Sequence, residues 1–336
     1  MSRMLHAIRR AVPGPLRSLA HRGFASAAEI PPQMSLEEKF LFDTNGYIVV
    51  KNVLSQEDLA LANNAVDQHA ADFKERKGKL RNTKDGTPLA GDGSTGRFDL
   101  GGFLEWELPH SSVFRSILAH PALIPYLNEL CGEGYRLDHA PLIFKQLKGS
   151  EGFSLHGGPV TESGSWNPNL AYHFRHGRIY NTLLAVSVQL TPSLPGDGGF
   201  CIVKGSHKSN FPCPPDMVNG VTHTEHLHQP ATDAGDVVIF TESTFHGTLP
   251  WNADRERRVA LFRFAPPTIA YGRAYFPQWP SGTYNGMTPE QASVLEPPYA
   301  NRLDRATLKT DGATKTQRRV GFKVDFDEQV FGTKYF

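Results

Sequence analysis

Ile179-Tyr-Asn-Thr-Leu-Leu-Ala-Val-Ser-Val-Gln-Leu190 is the longest of five short apolar segments that follow one another between Leu137 and Phe264. The others are Leu142–Leu147, Phe200–Val203, Asp236–Phe240 and Val259–Phe264, with Gly, Pro, Asp and Asn breaking the chain between them. Short apolar runs bounded by turn-forming residues read as strands. A succession of them predicts an antiparallel sandwich or a jelly roll.

Upstream of this block the texture is helical. Ser35-Leu-Glu-Glu38 has the form of a capping box, and Asn45-Gly46 stops the helix that it opens. Tyr47–Val53 reads as a β-branched strand. Ser55-Gln-Glu-Asp58 caps a second helix, in which Leu59, Leu61, Ala62, Val66, Ala70 and Phe73 keep a helical period to about Lys77. Residues 78–103 are polar and Gly-rich, a long loop of the kind that often covers a site. Two short helices are expected near Ser112–Ala119 and Ala122–Leu130. Beyond Pro266 the chain is rich in Pro, Gly and Tyr, with one well-capped helix opening at Thr288-Pro289-Glu290-Gln291.

Composition narrows the function. At 39% hydrophobic and 21% charged, the 336 residues can offset the entropy of ordering, which excludes wholesale disorder. No apolar run approaches the roughly 18 residues of a membrane-spanning helix. The net charge of +1 hides an asymmetry: residues 1–28 hold five arginines (Arg3, Arg9, Arg10, Arg17, Arg22) and no acid, leaving −4 on the remainder. A mildly acidic body without a basic stripe argues against nucleic acid as the partner. Three cysteines, Cys131, Cys201 and Cys213, make neither a disulfide framework nor a zinc ribbon. The Arg-rich start, its apolar residues interspersed with the arginines, fits an organelle presequence over residues 1–33, mitochondrial or alternatively plastid. The domain reading is then residues 34–265 for the β-rich body and 266–336 for a C-terminal extension on or near it.

Two motifs fall short of their signatures. Gly91-Asp-Gly93-Ser-Thr-Gly96 matches the dinucleotide-binding spacing but lacks the preceding strand and following helix, and reads as a chance match in a loop. His223-Thr-Glu225-His226-Leu-His228 has a metal-binding composition; on a strand, His226 and His228 would share a face.

A third constellation carries more. Phe153-Ser-Leu-His156-Gly-Gly158 comes first, then Pro195-Gly-Asp-Gly-Gly-Phe-Cys-Ile-Val-Lys-Gly-Ser-His207-Lys208. Gly235-Asp-Val-Val-Ile-Phe-Thr-Glu242-Ser-Thr-Phe-His246-Gly-Thr248 follows, and Arg257-Arg258-Val-Ala-Leu-Phe-Arg-Phe264 closes the set. Together with the entry Gly46-Tyr-Ile-Val-Val-Lys-Asn-Val-Leu-Ser55, these features resemble the phytanoyl-CoA dioxygenase family of iron(II)/2-oxoglutarate oxygenases from about Phe40 to Phe264. The resemblance implies a mainly β fold, a double-stranded β-helix (jelly roll) core with N-terminal and peripheral helices. It also implies Fe(2+) and 2-oxoglutarate as cofactors, with O2 and a small organic molecule as substrates. By position, His156 and His246 correspond to the two imidazole ligands. Arg257, eleven residues after His246, corresponds to the anchor of the far carboxylate of 2-oxoglutarate, with Arg258 the alternative. Thr248 matches a supporting hydroxyl, and Lys145 a cosubstrate or substrate contact. The chemistry has its own logic: two imidazoles and a carboxylate on one face of a metal leave positions open, and a guanidinium grips a carboxylate with two parallel hydrogen bonds.

The departure is at Gly158, where the family carries its metal carboxylate. An acid at that position would share the strand face of His156. Three readings follow. Another acid supplies the ligand: Glu242, four residues before His246, comes first, ahead of Glu162 and Asp138. Or the site has two histidines with water or an anion in the gap, an arrangement that resembles the halogenases, where a halide binds iron. Or iron is not held and the jelly roll is a binding module. Gly157-Gly158-Pro159 also reads as a sharp bend that needs glycine for its own sake. The first reading is preferred, because Arg257 and Thr248 are retained: a 2-oxoglutarate-dependent dioxygenase that hydroxylates a small organic substrate.

Overall fold

The computed structural model describes residues 33–272, 279, 281–298, 306–316 and 321–332. The segment read as a presequence lies outside them except for Gln33. Two antiparallel sheets organise the body. The larger runs in the order Tyr47–Val50, Val237–Thr241, Leu184–Gln189, Arg257–Ala265, Leu142–Gln146, Phe98–Leu100, Lys74–Glu75, and Arg136–Leu137 also pairs with Arg257–Ala265. The smaller runs Leu227–His228, Gly199–Val203, His246–Leu249, Phe153–His156. Sheets that face each other in this way form the jelly roll that the apolar segments predicted.

Strand periodicity divides the larger sheet into two faces. One carries Leu184, Val186, Val188, Val237, Ile239, Ala260, Phe262 and Phe264, and packs on the helical layer through Ala62, Val66, Phe114, Leu118 and Leu127. The other presents Ala185, Val238 and Phe240 to Ile202 of the smaller sheet, flanked by Tyr47, Val49, Phe200 and Leu261. Continuous apolar runs such as Leu183–Val186 are therefore strands covered on both sides. Odd-numbered positions of Arg257–Ala265 face the space between the sheets. That places Arg257 and Arg263 inside and Arg258 outside.

The first helix, Leu36–Asn45, has the expected capping box (Glu38 N–H to Ser35 Oγ 3.1 Å, Ser35 N–H to Glu38 Oε2 2.8 Å) and ends at Gly46. The second is shorter than its apolar period suggested. It ends at Gln68, and Ala70–Asp72 form a 3₁₀ turn before Lys74–Glu75 join the sheet beside Phe98–Leu100. Phe73 is buried there by leaving the helix, so tertiary packing outweighs local periodicity. The loop that follows is tied down. Glu151, fully buried, accepts from Thr83 Oγ1 at 2.8 Å and pairs with Arg81 at 3.0 Å. The glycines of its dinucleotide-like motif lead into the strand Phe98–Leu100 instead of a helix. Trp279, Val294, Leu295 and Leu308 of the C-terminal segment join the main core. Among the described residues no helix is long and apolar enough to cross a membrane.

Candidate metal centre

The strands Phe153–His156 and His246–Leu249 are neighbours in the smaller sheet, and His156 and His246 are direct register partners. Ninety residues apart in sequence, the two rings stand 4.2 Å apart centre to centre. Each imidazole is oriented by the backbone: His246 Nδ1 donates to the Thr244 carbonyl at 2.8 Å and His156 Nδ1 to the Ser154 carbonyl at 3.0 Å. A carbonyl can only accept, so both protons sit on Nδ1 and both Nε2 lone pairs stay free for a metal. Phe153 and Phe240 pack against the two rings, at 4.5 and 4.7 Å. Burial, then the neighbouring His246, pushes His156 down to about 3. Burial also lowers His246. Both rings are therefore neutral at physiological pH, the form that ligates.

Glu242 completes the set. The turn that follows the strand Val237–Thr241 brings it back over the rings, and donor atoms of His156, Glu242 and His246 all lie within 4.8 Å of one another. Glu242 Oε2 is 3.5 Å from His246 Nε2, while Glu242 Oε1 accepts from Arg263 Nε at 2.7 Å. Burial alone would raise this carboxyl, but Arg263, His246 and His156 together draw it down to about 2. Cis donors around a metal that binds at about 2.1 Å sit roughly 3 Å apart. Two imidazoles and one ionised oxygen with these spacings fit a divalent ion after small side-chain adjustment.

Gly158 is where the structure corrects the strand-face argument. The strand ends at His156, and Gly157 and Gly158 both adopt left-handed backbone (φ +95° and +81°). A Cβ on Gly158 would collide with the Phe245 ring instead of pointing at the imidazoles. The bend, not the metal, sets this glycine. Gly158→Asp is accordingly expected to destabilise the fold by about 2–4 kcal/mol, from left-handed strain and overpacking. Chemical denaturation reads this directly, and a Gly158→Asp variant of unchanged stability with tighter iron binding would contradict it.

Arg257 is fully buried on the inner face. Nη1 donates to Gln146 Oε1 at 2.8 Å, the ring of Phe144 lies 5.1 Å from the guanidinium, and Nε has no hydrogen-bond partner. No carboxylate pairs with it among the described residues. Burial, helped by Arg97, lowers it to about 9, still charged at neutral pH. Gly199 makes room: a Cβ there would sit 2.8 Å from Arg257 Nε. A buried cation with an orphaned N–H is a receptor for an anion. Thr248 shares the strand face of His246, one strand from Gly199 and Phe200.

The other sequence candidates lie elsewhere. Arg258 faces outward and pairs with Asp67 and Glu256, both at 2.6 Å. Lys145 pairs in register with Arg258 and points the same way, toward Glu256 at 3.5 Å and the Phe73 ring at 4.6 Å. It does not reach the inner face, because strand alternation sends its neighbours Phe144 and Gln146 there instead. Asp138 is saturated by Arg136, His139 and the amides of Tyr271 and Gly272. Glu162 lies exposed in a loop. Sequence reasoning missed Arg263, Gln146 and Phe245. Arg263 carried a usable signal: six residues after Arg257 on one strand, it must share that residue's face.

The chain matches the family Phytanoyl-CoA dioxygenase (PhyH) over residues 42–259. No curated protein shows a significant match. Among solved structures, apo HygX from Streptomyces hygroscopicus is similar at 19% identity and a TM-score of 0.55, covering 75% of this chain and 94% of HygX. HygX with nickel, 2-oxoglutarate and hygromycin B bound gives 20% identity and 0.54, covering 69% and 88%. HygX with iron bound gives 20% and 0.53, covering 70% and 88%. At such identity the likeness establishes the fold. With the family match spanning well over half its length, the chain belongs to the phytanoyl-CoA dioxygenase (PhyH) family.

Proposed function

We propose that the protein is an iron(II)- and 2-oxoglutarate-dependent dioxygenase that hydroxylates a small organic substrate, with His156, His246 and Glu242 as its metal ligands. The observation that carries this reading is the convergence of those three donors, together with a buried, carboxylate-free Arg257 that faces the same space between the sheets. HygX, of the same fold, has been crystallised with iron, and with nickel and 2-oxoglutarate. With three positions on one face taken by protein, iron(II) and 2-oxoglutarate would supply the activation of O2, at the expense of oxidative decarboxylation of the cosubstrate.

The chain's own residues do the rest. The carbonyls of Ser154 and Thr244 fix the tautomers of the histidines. Arg263 holds Glu242 ionised and leaves one oxygen for the metal. Arg257, with Gln146 beside it and Thr248 on the strand of His246, would receive the far carboxylate of 2-oxoglutarate. Phe153 and Phe240 wall the imidazoles from water. Two features favour a carboxylate-bound site over a halide-bound one: Glu242 supplies the acid that Gly158 lacks, and Phe245 fills the direction that the family's acid would take. Anaerobic titration with iron(II) and 2-oxoglutarate is expected to develop the visible charge-transfer band of a chelated cosubstrate at one equivalent of iron. No band at any iron concentration would sink the reading.

The acid-free, Arg-rich N-terminus supports a mitochondrial address. Residues 1–33 fused to a reporter are expected to carry it to mitochondria, and Arg9→Glu with Arg10→Glu to block import. Cytosolic retention of the wild-type fusion would refute it.

A further inference from the structure

The turn leading into the strand Leu227–His228 gathers a second set of metal-type donors at the outer edge of the smaller sheet. Two strand spacings, roughly 10 Å, separate this edge strand from that of His246. Donor atoms of His223, Glu225 and His226 all lie within 4.8 Å of one another. One oxygen of Glu225 sits between the two imidazoles, 3.7 Å from His223 Nδ1 and 3.7 Å from His226 Nε2, and the ring centres are 6.3 Å apart.

Local geometry explains the convergence. Thr224–His226 is a 3₁₀ turn, in which residues three apart eclipse, so His223 and His226 stand on one side. His223 takes left-handed backbone (φ +56°), a conformation costly to any residue with a Cβ, and the turn closes with His226 N–H on the His223 carbonyl at 3.1 Å. Among the described residues none of the three side chains has a partner outside the trio, and no lysine or arginine neutralises Glu225. The strand-based pairing of His226 with His228 is not what forms: His228 Nε2 is engaged by Tyr47 Oη at 2.7 Å.

We propose that His223, Glu225 and His226 form a second metal site, separate from the catalytic centre, that takes zinc(II) and stiffens the turn leading into the edge strand of the smaller sheet. Two imidazoles and one carboxylate, with water in the fourth position, make a tetrahedral zinc donor set. The intrinsic affinity order places zinc above iron(II) for any such nitrogen and oxygen donor set, so metal-free protein would take zinc at both centres. Exposure to solvent gives free access to the ion.

The test uses untagged, chelator-stripped full-length protein titrated with zinc chloride by calorimetry. Wild type is expected to take two equivalents. His223→Ala/His226→Ala should take one, having lost the edge site, and His246→Ala should take one, having lost the other. Zinc should slow amide exchange over residues 219–228 in wild type and in His246→Ala, and leave it unchanged in the double variant. If His246→Ala does not fold, the comparison of wild type with the surface double variant decides alone. A double variant that binds as much zinc as wild type, or exchange over 219–228 that zinc does not slow in wild type, overturns the proposal.

Discussion

Glu242→Ala is expected to lower iron(II) affinity at least about 100-fold, more than the 10–100-fold that loss of an outer partner costs, and to abolish turnover with it. The expectation rests on Glu242 Oε2 at 3.5 Å from His246 Nε2 and on the Arg263 contact that keeps the carboxyl ionised. Glu242→Gln keeps the volume and an acceptor for Arg263 while removing the charge, and so separates ligation from packing. Arg263→Gln should fall between, within roughly 10–100-fold, because it loosens Glu242 without removing it. In the wild-type enzyme, adding chloride or bromide should leave the product unchanged by mass spectrometry. Stoichiometric iron at wild-type affinity in Glu242→Ala would remove Glu242 from the ligand set. A halogenated product would then revive the two-histidine reading.

Arg257→Ala should raise the 2-oxoglutarate requirement by roughly 10²–10³-fold while changing iron affinity little. A buried carboxylate left without its partner costs on the order of 3–5 kcal/mol, and about 1.4 kcal/mol is a factor of ten. Arg257 is 1% exposed, and its Nε has no other claim on it. Arg257→Lys controls for the cavity: it keeps a positive charge but cannot make the paired hydrogen bonds, so partial rescue is expected. Arg258→Ala should change neither constant appreciably, since that guanidinium is tied to Asp67 and Glu256 on the opposite face. Kinetics at varied 2-oxoglutarate, with iron affinity measured separately, distinguish these outcomes. If Arg258→Ala raised the requirement and Arg257→Ala did not, the assignment of the inner face would be wrong.

Wherever backbone periodicity governs, the sequence was a reliable guide. Caps at Ser35, Ser55 and Thr288 mark helix starts because a hydroxyl and a nearby amide in one short segment decide them. Which of Arg257 and Arg258 faces inward is likewise a matter of parity on a strand, decided once the strand's buried face is known. Periodicity failed at Phe73, whose burial ends a helical pattern, whereas at Lys145 it holds, and the role implied by resemblance ignored which face of its strand the residue occupies. Periodicity failed again at Gly158, where a left-handed bend breaks the i, i+2 rule that holds only while the strand continues.

By itself, then, the amino-acid order determined the strand and helix segments, the basic N-terminus, and the residue types able to hold a metal and a carboxylate. These are properties of short stretches, set by side-chain chemistry and local hydrogen bonding. Only the tertiary structure decided that His156 meets His246 across neighbouring strands, that Glu242 turns back over them under the pull of Arg263, and that His226 faces His223 instead of His228. Those facts depend on register and on which chain segments the hydrophobic layers bring side by side, and no spacing along one strand encodes them.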